Sequence, residues 1–266
     1  MASERTEMER KYLVNDENAF NELLGLLEPK MNRPLIADFL QQNYSSKQRE
    51  YRYFDTFDGD ISKLITSSEL IGPLEKMGVS ISARDRGDDY MLSVKMPTSN
   101  PEERTEWELP IHATSGTNFY ALEPKDFAFH WTPMRKIMDL CQYKPLQEIV
   151  RLTVQTTRVD LYSNRERKVE IALDYVVGRI PLPLFDLSSS FYELEIEQKE
   201  TGKPNDVEKV AGFLTEKFPE PKLVNSSTSK WIKALKLIRK KGSLLILVKC
   251  QCNLLNTLTN SARAVG

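Results

Sequence analysis

Glu7-Met8-Glu9-Arg10-Lys11 decides how the rest of the chain is read. In an extended strand side chains alternate between two faces, so Glu7, Glu9 and Lys11 share one face while Met8, Arg10 and Tyr12 take the other. Leu13 and Val14 follow, so the segment reads as a strand with a charged side and a mixed, partly apolar side. The charged face of an antiparallel strand ordinarily looks into water. The same pattern returns near the other end, where Glu193, Glu195 and Glu197 alternate with Leu194 and Ile196 in FYELEIEQK, residues 191–199. Like carboxylates two residues apart repel, so a strand bearing three in a row needs counter-charge or a bound cation. Two such strands in one chain weaken the solvated reading of either.

Working outward, 266 residues suffice for one large β domain. The formal net charge is −1 with 28% charged residues. That balance gives no sign of a general nucleic-acid or membrane partner. Three cysteines, one isolated (Cys141) and two in a C-x-C (Cys250, Cys252), form no disulfide framework. The charged start MASERTEMER lacks the apolar core of a signal peptide, and the late apolar run Leu244–Val248 is too short to span a bilayer. The expectation is a cytoplasmic protein without disulfide partners. His112 and His130 are the only histidines, which removes histidine-rich zinc chemistry. No G-x-x-x-x-G-K loop is present, so phosphates would have to be held by side chains.

Along the chain, Asn15 to Asn18 supply caps for a helix with Phe20, Leu23, Leu24 and Leu27 at helical spacing, stopped by Pro29. Residues 35–46 and 49–56 read as two strands joined through Ser45-Ser46-Lys47, the second ending in YFDT, whose Asp55 reads as a turn residue. Residues 79–97 form a hairpin around Gly87-Asp88-Asp89. Ser82, Arg84 and Arg86 share a face of its first arm, and Met91, Ser93 and Lys95 share a face of its second. Arg104-Thr105-Glu106-Trp107-Glu108 follows with two more carboxylates on one side. A helix is expected around FHWTPMRKIMDLC, with Pro133 in its first turn. Residues 146–162 and 167–178 pair as long strands, where Arg151 and Arg158 have opposite parity, so without a bulge one of them faces out. Residues 205–218 form a helix capped by Asn205 or Asp206, with Val207, Val210 and Leu214 buried. The tail from Gly242 carries no recognisable motif.

These motifs together resemble the CYTH domains of the triphosphate tunnel metalloenzyme superfamily. EMERK is similar to that family's E-x-E-x-K opening and ELEIEQK to its E-x-E-x-E closing strand. YFDT, the R-x-R of Arg84 and Arg86, the strand ending at Lys95, RTEWE, VEIALD and Ser229-Lys230 resemble further family motifs in order, over roughly residues 5–232. The resemblance implies an all-β-dominated α+β fold: an eight-stranded antiparallel barrel, the triphosphate tunnel, with peripheral helices. The domain would span 1–240, followed by a tail, 241–266, of unknown role.

The resemblance also implies an inward set of acids, Glu7, Glu9, Glu106, Glu108, Glu170, Asp174, Glu193, Glu195 and Glu197. The facing bases would be Lys11, Arg84, Arg86, Lys95, Arg158 and Lys230. Such a mixture needs partners, and a divalent cation with a polyphosphate supplies both. Glu7, Glu9, Glu195 and Glu197 are the expected ligands of Mg2+ or Mn2+. Lys11, Arg84, Arg86, Lys95, Arg158 and Lys230 are expected to bind substrate, and Glu106 or Glu170 to orient the attacking water. The implied activity is metal-dependent hydrolysis of the terminal phosphate of a triphosphate, with inorganic tripolyphosphate ranked first. Thiamine triphosphatase, RNA 5′-triphosphatase, adenylate cyclase and a non-catalytic polyphosphate- or nucleotide-binding module remain alternatives. The partner is then a triphosphate-containing small molecule, or nucleic acid only as an RNA 5′ end.

Overall fold

The computed structural model describes residues 3–28, 34, 36, 39–56, 72–85, 89–100, 103–112, 121–122, 131–180 and 187–242. Ten strands are described, β1 (Ser3–Val14), β2 (Leu40–Asp55), β3 (Ser80–Asp85), β4 (Asp89–Pro97), β5 (Glu103–His112), β6 (Ala121–Leu122), β7 (Leu146–Ser163), β8 (Glu166–Arg179), β9 (Ser188–Gln198) and β10 (Leu223–Asn225). The helices are α1 (Glu17–Leu27), α2 (Pro73–Lys76), α3 (Thr132–Leu140), α4 (Pro204–Lys217) and α5, helical over residues 230–242. The protein is an all-β-dominated α+β fold, and no helix among the described residues is long and apolar enough to cross a membrane.

Antiparallel pairing runs β1-β5-β4-β3-β2-β7-β8-β9 and returns from β9 to β1, so eight strands close into a ring. β1 makes the closure by changing partner along its length. Its first half pairs with β5, where Glu7 stands opposite Arg104, and its second half pairs with β9, where Glu9 stands opposite Glu197 and Lys11 opposite Glu195.

Alternation then separates two environments. On the outer face, Tyr12, Val14, Val159, Leu161, Ile171, Leu194 and Ile196 are covered by α1 and α4. Outer Phe54, Ile81, Ala83, Leu92 and Val94 are covered by α2 and α3. The peripheral helices therefore supply the conventional core, and the charged residues of the alternating motifs, Glu9, Lys11, Glu193 and Glu195 among them, take the inner face.

Local chemistry explains the joints. Asp16 caps α1 by accepting the Ala19 N–H at 2.8 Å. The β7–β8 hairpin turns on Asn164 and Arg165 at φ +53° and +65°, the left-handed pair that matches strand twist in a two-residue turn. Buried Asp55 accepts the N–H of Thr56 at 2.7 Å and of Leu74 at 3.3 Å, tying β2 to α2 in agreement with a turn role. Gly72 permits that contact, because a Cβ there would stand 2.0 Å from the Asp55 carboxyl.

Two expectations are corrected. Residues 40–55 form one strand, not two, and Ser45-Ser46-Lys47 belong to its interior; the irregularity is a register shift between Gln42 and Ser45 opposite β7. In α4 the cap position is Lys203, while Asp206 lies at the third helical position and its carboxylate accepts the Lys203 N–H at 2.9 Å. The hairpin connection 86–88, Pro29 and the tail from residue 243 lie outside the described residues, as do Cys250 and Cys252. Cys141 is a buried free thiol, and burial pushes it up to about 12.

Candidate functional site: a charged cavity inside the strand ring

The inner face encloses a cavity of about 910 Å3. Continuous alternation places its lining, because cross-strand partners share a face. Glu9, Lys11, Glu106, Glu108, Glu170, Asp174, Glu195, Glu197, Arg84, Lys95, Arg158 and Lys230 all border it. Glu193 shares the inner face opposite Asp174 and is fully enclosed. Glu7 enters only through its backbone pairing with Arg104; its side chain, and all of Arg86, lie outside the described residues. Arg158 borders the cavity, whereas Arg151 takes the opposite parity and is held by Glu148 at 2.8 Å.

Charge is divided between two halves of the ring. One arc, β8-β9-β1-β5, carries Glu170, Asp174, Glu193, Glu195, Glu197, Glu9, Glu106 and Glu108. The facing arc, β4-β3-β2-β7, carries Lys95, Arg84, Lys47, Arg49 and Arg158. Glu50 and Asp85 also border the cavity, but from outward-parity positions, and Glu50 is paired with Arg52 at 3.4 Å.

On the acid arc, internal cations neutralise the carboxylates. Lys11 Nζ lies 2.8 Å from Glu9 and 3.0 Å from Glu195. Lys230 Nζ lies 2.9 Å from Asp174, 3.2 Å from Glu193 and 2.5 Å from Glu195. Lys199 pairs with Glu197 at 2.8 Å, and Arg104 stands 3.6 Å from Glu9. Burial alone would raise the Glu195 carboxyl, but Lys11 and Lys230 hold it well below the usual range. Burial likewise opposes charge on Lys230, yet Asp174, Glu195 and Glu193 hold it well above the lysine range. Burial pushes Glu193 up against the pull of Lys230 and Lys233. Lys233, which donates to Glu193, is pushed down by burial, so the enclosure drives both partners of that pair toward neutrality.

Two carboxylates are held differently. Glu106 accepts from Ser93 Oγ at 2.8 Å and pairs with Lys95 at 3.2 Å. Glu170 pairs with Arg167 at 2.7 Å and with Arg158 and Lys199 at 3.5 Å each.

The base arc is partly satisfied from across the ring, where Arg84 Nη2 donates to Glu108 at 3.2 Å and Arg158 stands 3.5 Å from Glu170. Arg49 Nη1, Arg84 Nε and Arg158 Nε are buried and have no hydrogen-bond partner among the described residues. The Arg49 guanidinium is pushed down by burial and by Arg158 and Arg84 beside it. Like cations crowd here with donors to spare.

The acid arc has the donor chemistry of a hard divalent cation, since carboxylate oxygens suit magnesium and manganese. Glu9 stands opposite Glu197, with Glu195 reached through the shared Lys11 ammonium. Among the described residues no three His, Cys, Asp or Glu side chains are grouped to cage a metal ion. Magnesium ordinarily takes one or two carboxylates and completes its shell with water and phosphate oxygens, so this donor set fits it.

Several lining residues fall outside the set of site residues expected from the sequence. Lys47 and Arg49 are hidden when β2 is read as two strands, although the alternation Lys47, Arg49, Tyr51, Tyr53 is visible once the strand is continuous. Lys199 extends the spacing of Glu193, Glu195 and Glu197 by one step. Arg104 stands beside Glu106 in the RTEWE motif. Ser229, already marked by the Ser229-Lys230 motif, and Trp231 reach the cavity through the docking of α5, which no local signal announces.

No protein-family model and no curated protein sequence matches the chain. Among solved structures, two of S. pombe Pct1 RNA triphosphatase, one in complex with the Spt5 CTD, align at 12% and 13% identity. They cover 91% and 80% of this chain and 83% and 78% of theirs, at a TM-score of 0.32, too loose to bear on the fold. A Bacillus halodurans protein provisionally assigned as an adenylate cyclase aligns at TM-score 0.52 and 17% identity, over 86% of this chain and 97% of its own, and so shows a shared fold.

Proposed function

We propose that the eight-strand ring is a triphosphate tunnel barrel, spanning residues 1–240, that hydrolyses the terminal phosphate of a triphosphate. Inorganic tripolyphosphate is the first substrate to test. The observation that carries this reading is the segregation of charge: a carboxylate arc faces an arc of crowded cations in which Arg49, Arg84 and Arg158 each keep one buried guanidinium nitrogen without a hydrogen-bond partner among the described residues. Buried unpaired donors are costly, and an anion rich in oxygens satisfies them. About 910 Å3 accommodates such a ligand with solvent.

In this reading Arg49, Arg84, Arg158, Lys47 and Lys95 hold the phosphate oxygens. They stabilise negative charge on the transferred phosphoryl group and the leaving pyrophosphate from fixed positions. Glu9, Glu195, Glu197 and Glu7 would hold Mg2+ or Mn2+, which when bound supplies charge neutralisation and orients water. Glu106, fixed by Ser93 and Lys95, and Glu170, fixed by Arg167, are the candidates for accepting the water proton. Lys11 and Lys230 keep the acid arc assembled before ligand arrives.

The fold alone does not choose the reaction. Its likeness to a provisionally assigned adenylate cyclase makes cyclisation of ATP the reading to set against hydrolysis. Tripolyphosphate, thiamine triphosphate, ATP and triphosphorylated RNA are to be assayed side by side with magnesium or manganese, scoring phosphate, pyrophosphate and cyclic nucleotide. Phosphate released fastest from tripolyphosphate, and lost in Glu9→Gln, is the expected result. No turnover of any of the four would remove the enzyme reading.

A further inference from the structure

At one end of the ring the inner face is apolar. Leu152, Val154 and Val176 are buried there, together with Phe191 and the stacked rings of Tyr51 and Tyr53. α5 fills that end: Trp231, Ala234, Leu235 and Ile238 pack onto these residues, and Ser189 Oγ donates to the Ala234 carbonyl at 3.3 Å. The fit depends on Gly178, where a Cβ would lie 2.6 Å from Ala234 Cβ.

The helix therefore meets the cavity with its N-terminus, and Ser229, Lys230 and Trp231 border the cavity. Lys230 is committed to Asp174, Glu193 and Glu195 on the acid arc. Trp231 turns the other way and stacks on Tyr53 of β2, with ring centroids 6.0 Å apart at 17°. Its indole Nε1 is buried and has no hydrogen-bond partner among the described residues; the same holds for the Ser229 hydroxyl. Trp231 is 2% and Ser229 9% exposed, so both are nine-tenths or more enclosed. A helix N-terminus attracts anions through its dipole and free N–H groups. Two buried neutral donors beside it are a second, independent mark of an oxygen-rich ligand.

We propose that the α5 end of the cavity is a closed subsite for an unsubstituted terminal phosphate group, whose oxygens accept from Trp231 Nε1 and Ser229 Oγ. The inference rests on the triphosphate reading and goes beyond it by fixing which part of the ligand enters first. A chain of phosphates with one free end fits, its substituted end remaining toward the open side. A ligand substituted at both ends is disfavoured, because α5 fills the space that its second substituent would need.

The test is calorimetric titration of the full chain without added divalent cation, so that turnover does not intrude. The ligands are tripolyphosphate, ATP and P1,P3-di(adenosine-5′) triphosphate, with two, one and no free phosphate ends. The expected order is tripolyphosphate and ATP within about tenfold of each other, with the dinucleotide on the order of 100-fold weaker. Trp231→Phe retains the stacked ring but removes the N–H, and is expected to weaken tripolyphosphate about tenfold, as is Ser229→Ala. Ser229→Ala carries the result if the tryptophan variant does not fold. Equal binding of all three ligands, or unchanged affinity in both variants, would overturn the subsite while leaving the triphosphate reading standing. No binding of tripolyphosphate at all would overturn both.

Discussion

Replacing Lys230 by Met strands a carboxylate inside the ring, and the cost follows from its contacts. Lys230 Nζ contacts Asp174 at 2.9 Å, Glu195 at 2.5 Å and Glu193 at 3.2 Å. After substitution Glu195 keeps Lys11 at 3.0 Å and Glu193 keeps Lys233. Asp174 fares worse, since its Oδ1 has no partner among the described residues and Lys230 is the cation at its Oδ2. Breaking one partner of a buried pair costs about 3–5 kcal/mol. In a chain of this size that lowers the melting temperature by roughly 6–20 °C, and it should shift the urea midpoint with the slope unchanged.

The pH dependence has a definite sign. Glu195 is depressed in the folded protein, so its contribution is present above the ordinary carboxylate range and is lost as pH falls through its folded value. Lys230 is raised, so its contribution is present below the ordinary lysine range and is lost only as pH rises through its folded value. The variant has lost one of the two cations that depress Glu195, so its deficit is full at neutral pH and narrows as the solution is acidified. Adding Asp174→Asn is expected to restore most of the loss. A deficit below about 1 kcal/mol, or one unchanged between neutral and acid conditions, would refute the buried-network reasoning.

Other outcomes follow from particular contacts. Gly178→Val drives a side chain into Ala234 and Leu152 and should destabilise by about 2–3 kcal/mol in urea unfolding, with partial recovery in Gly178→Ala paired with Ala234→Gly. Asp55→Ala frees the N–H groups of Thr56 and Leu74 in a buried joint, a loss of about 1–3 kcal/mol without a change in ligand affinity. Arg158→Met should leave the empty protein within about 1 kcal/mol, since Glu170 retains Arg167 and Lys199, yet weaken tripolyphosphate about tenfold with a shallower salt dependence.

Legibility in the sequence tracks the reach of each physical signal. Period-two alternation is local and strong, so parity alone puts Glu9 with Lys11 on one face, and likewise Glu193 with Glu195 and Glu197, and it orients the arms carrying Arg84 and Lys95. Parity also separates Arg158 from Arg151. The same rule fails where a strand is irregular: the register shift between Gln42 and Ser45, with Asn43 at φ +54°, disguises one strand as two and hides Lys47 and Arg49. Ring closure is not legible from spacing, because β1 trades β5 for β9 partway along its length. Least visible is α5. Only Ser229-Lys230 is marked there in the sequence, with no helix among the expected elements, and it is the glycine at 178 and the shape of the ring end that determine how residues 230–242 dock inside and bring Trp231 to the cavity.

Thermal unfolding with tripolyphosphate against sulfate at matched ionic strength tests the central claim most directly. If the cations of the base arc converge on one enclosed ligand, tripolyphosphate at about 100 times its dissociation constant stabilises the protein by about 2.7 kcal/mol. That raises the melting temperature by roughly 5–10 °C, with a far smaller rise for sulfate and a reduced tripolyphosphate shift in Arg84→Ala with Arg158→Ala. Equal shifts for the two anions, unchanged in the double variant, would mean that the cations respond only to screening, and the account of the cavity would be wrong.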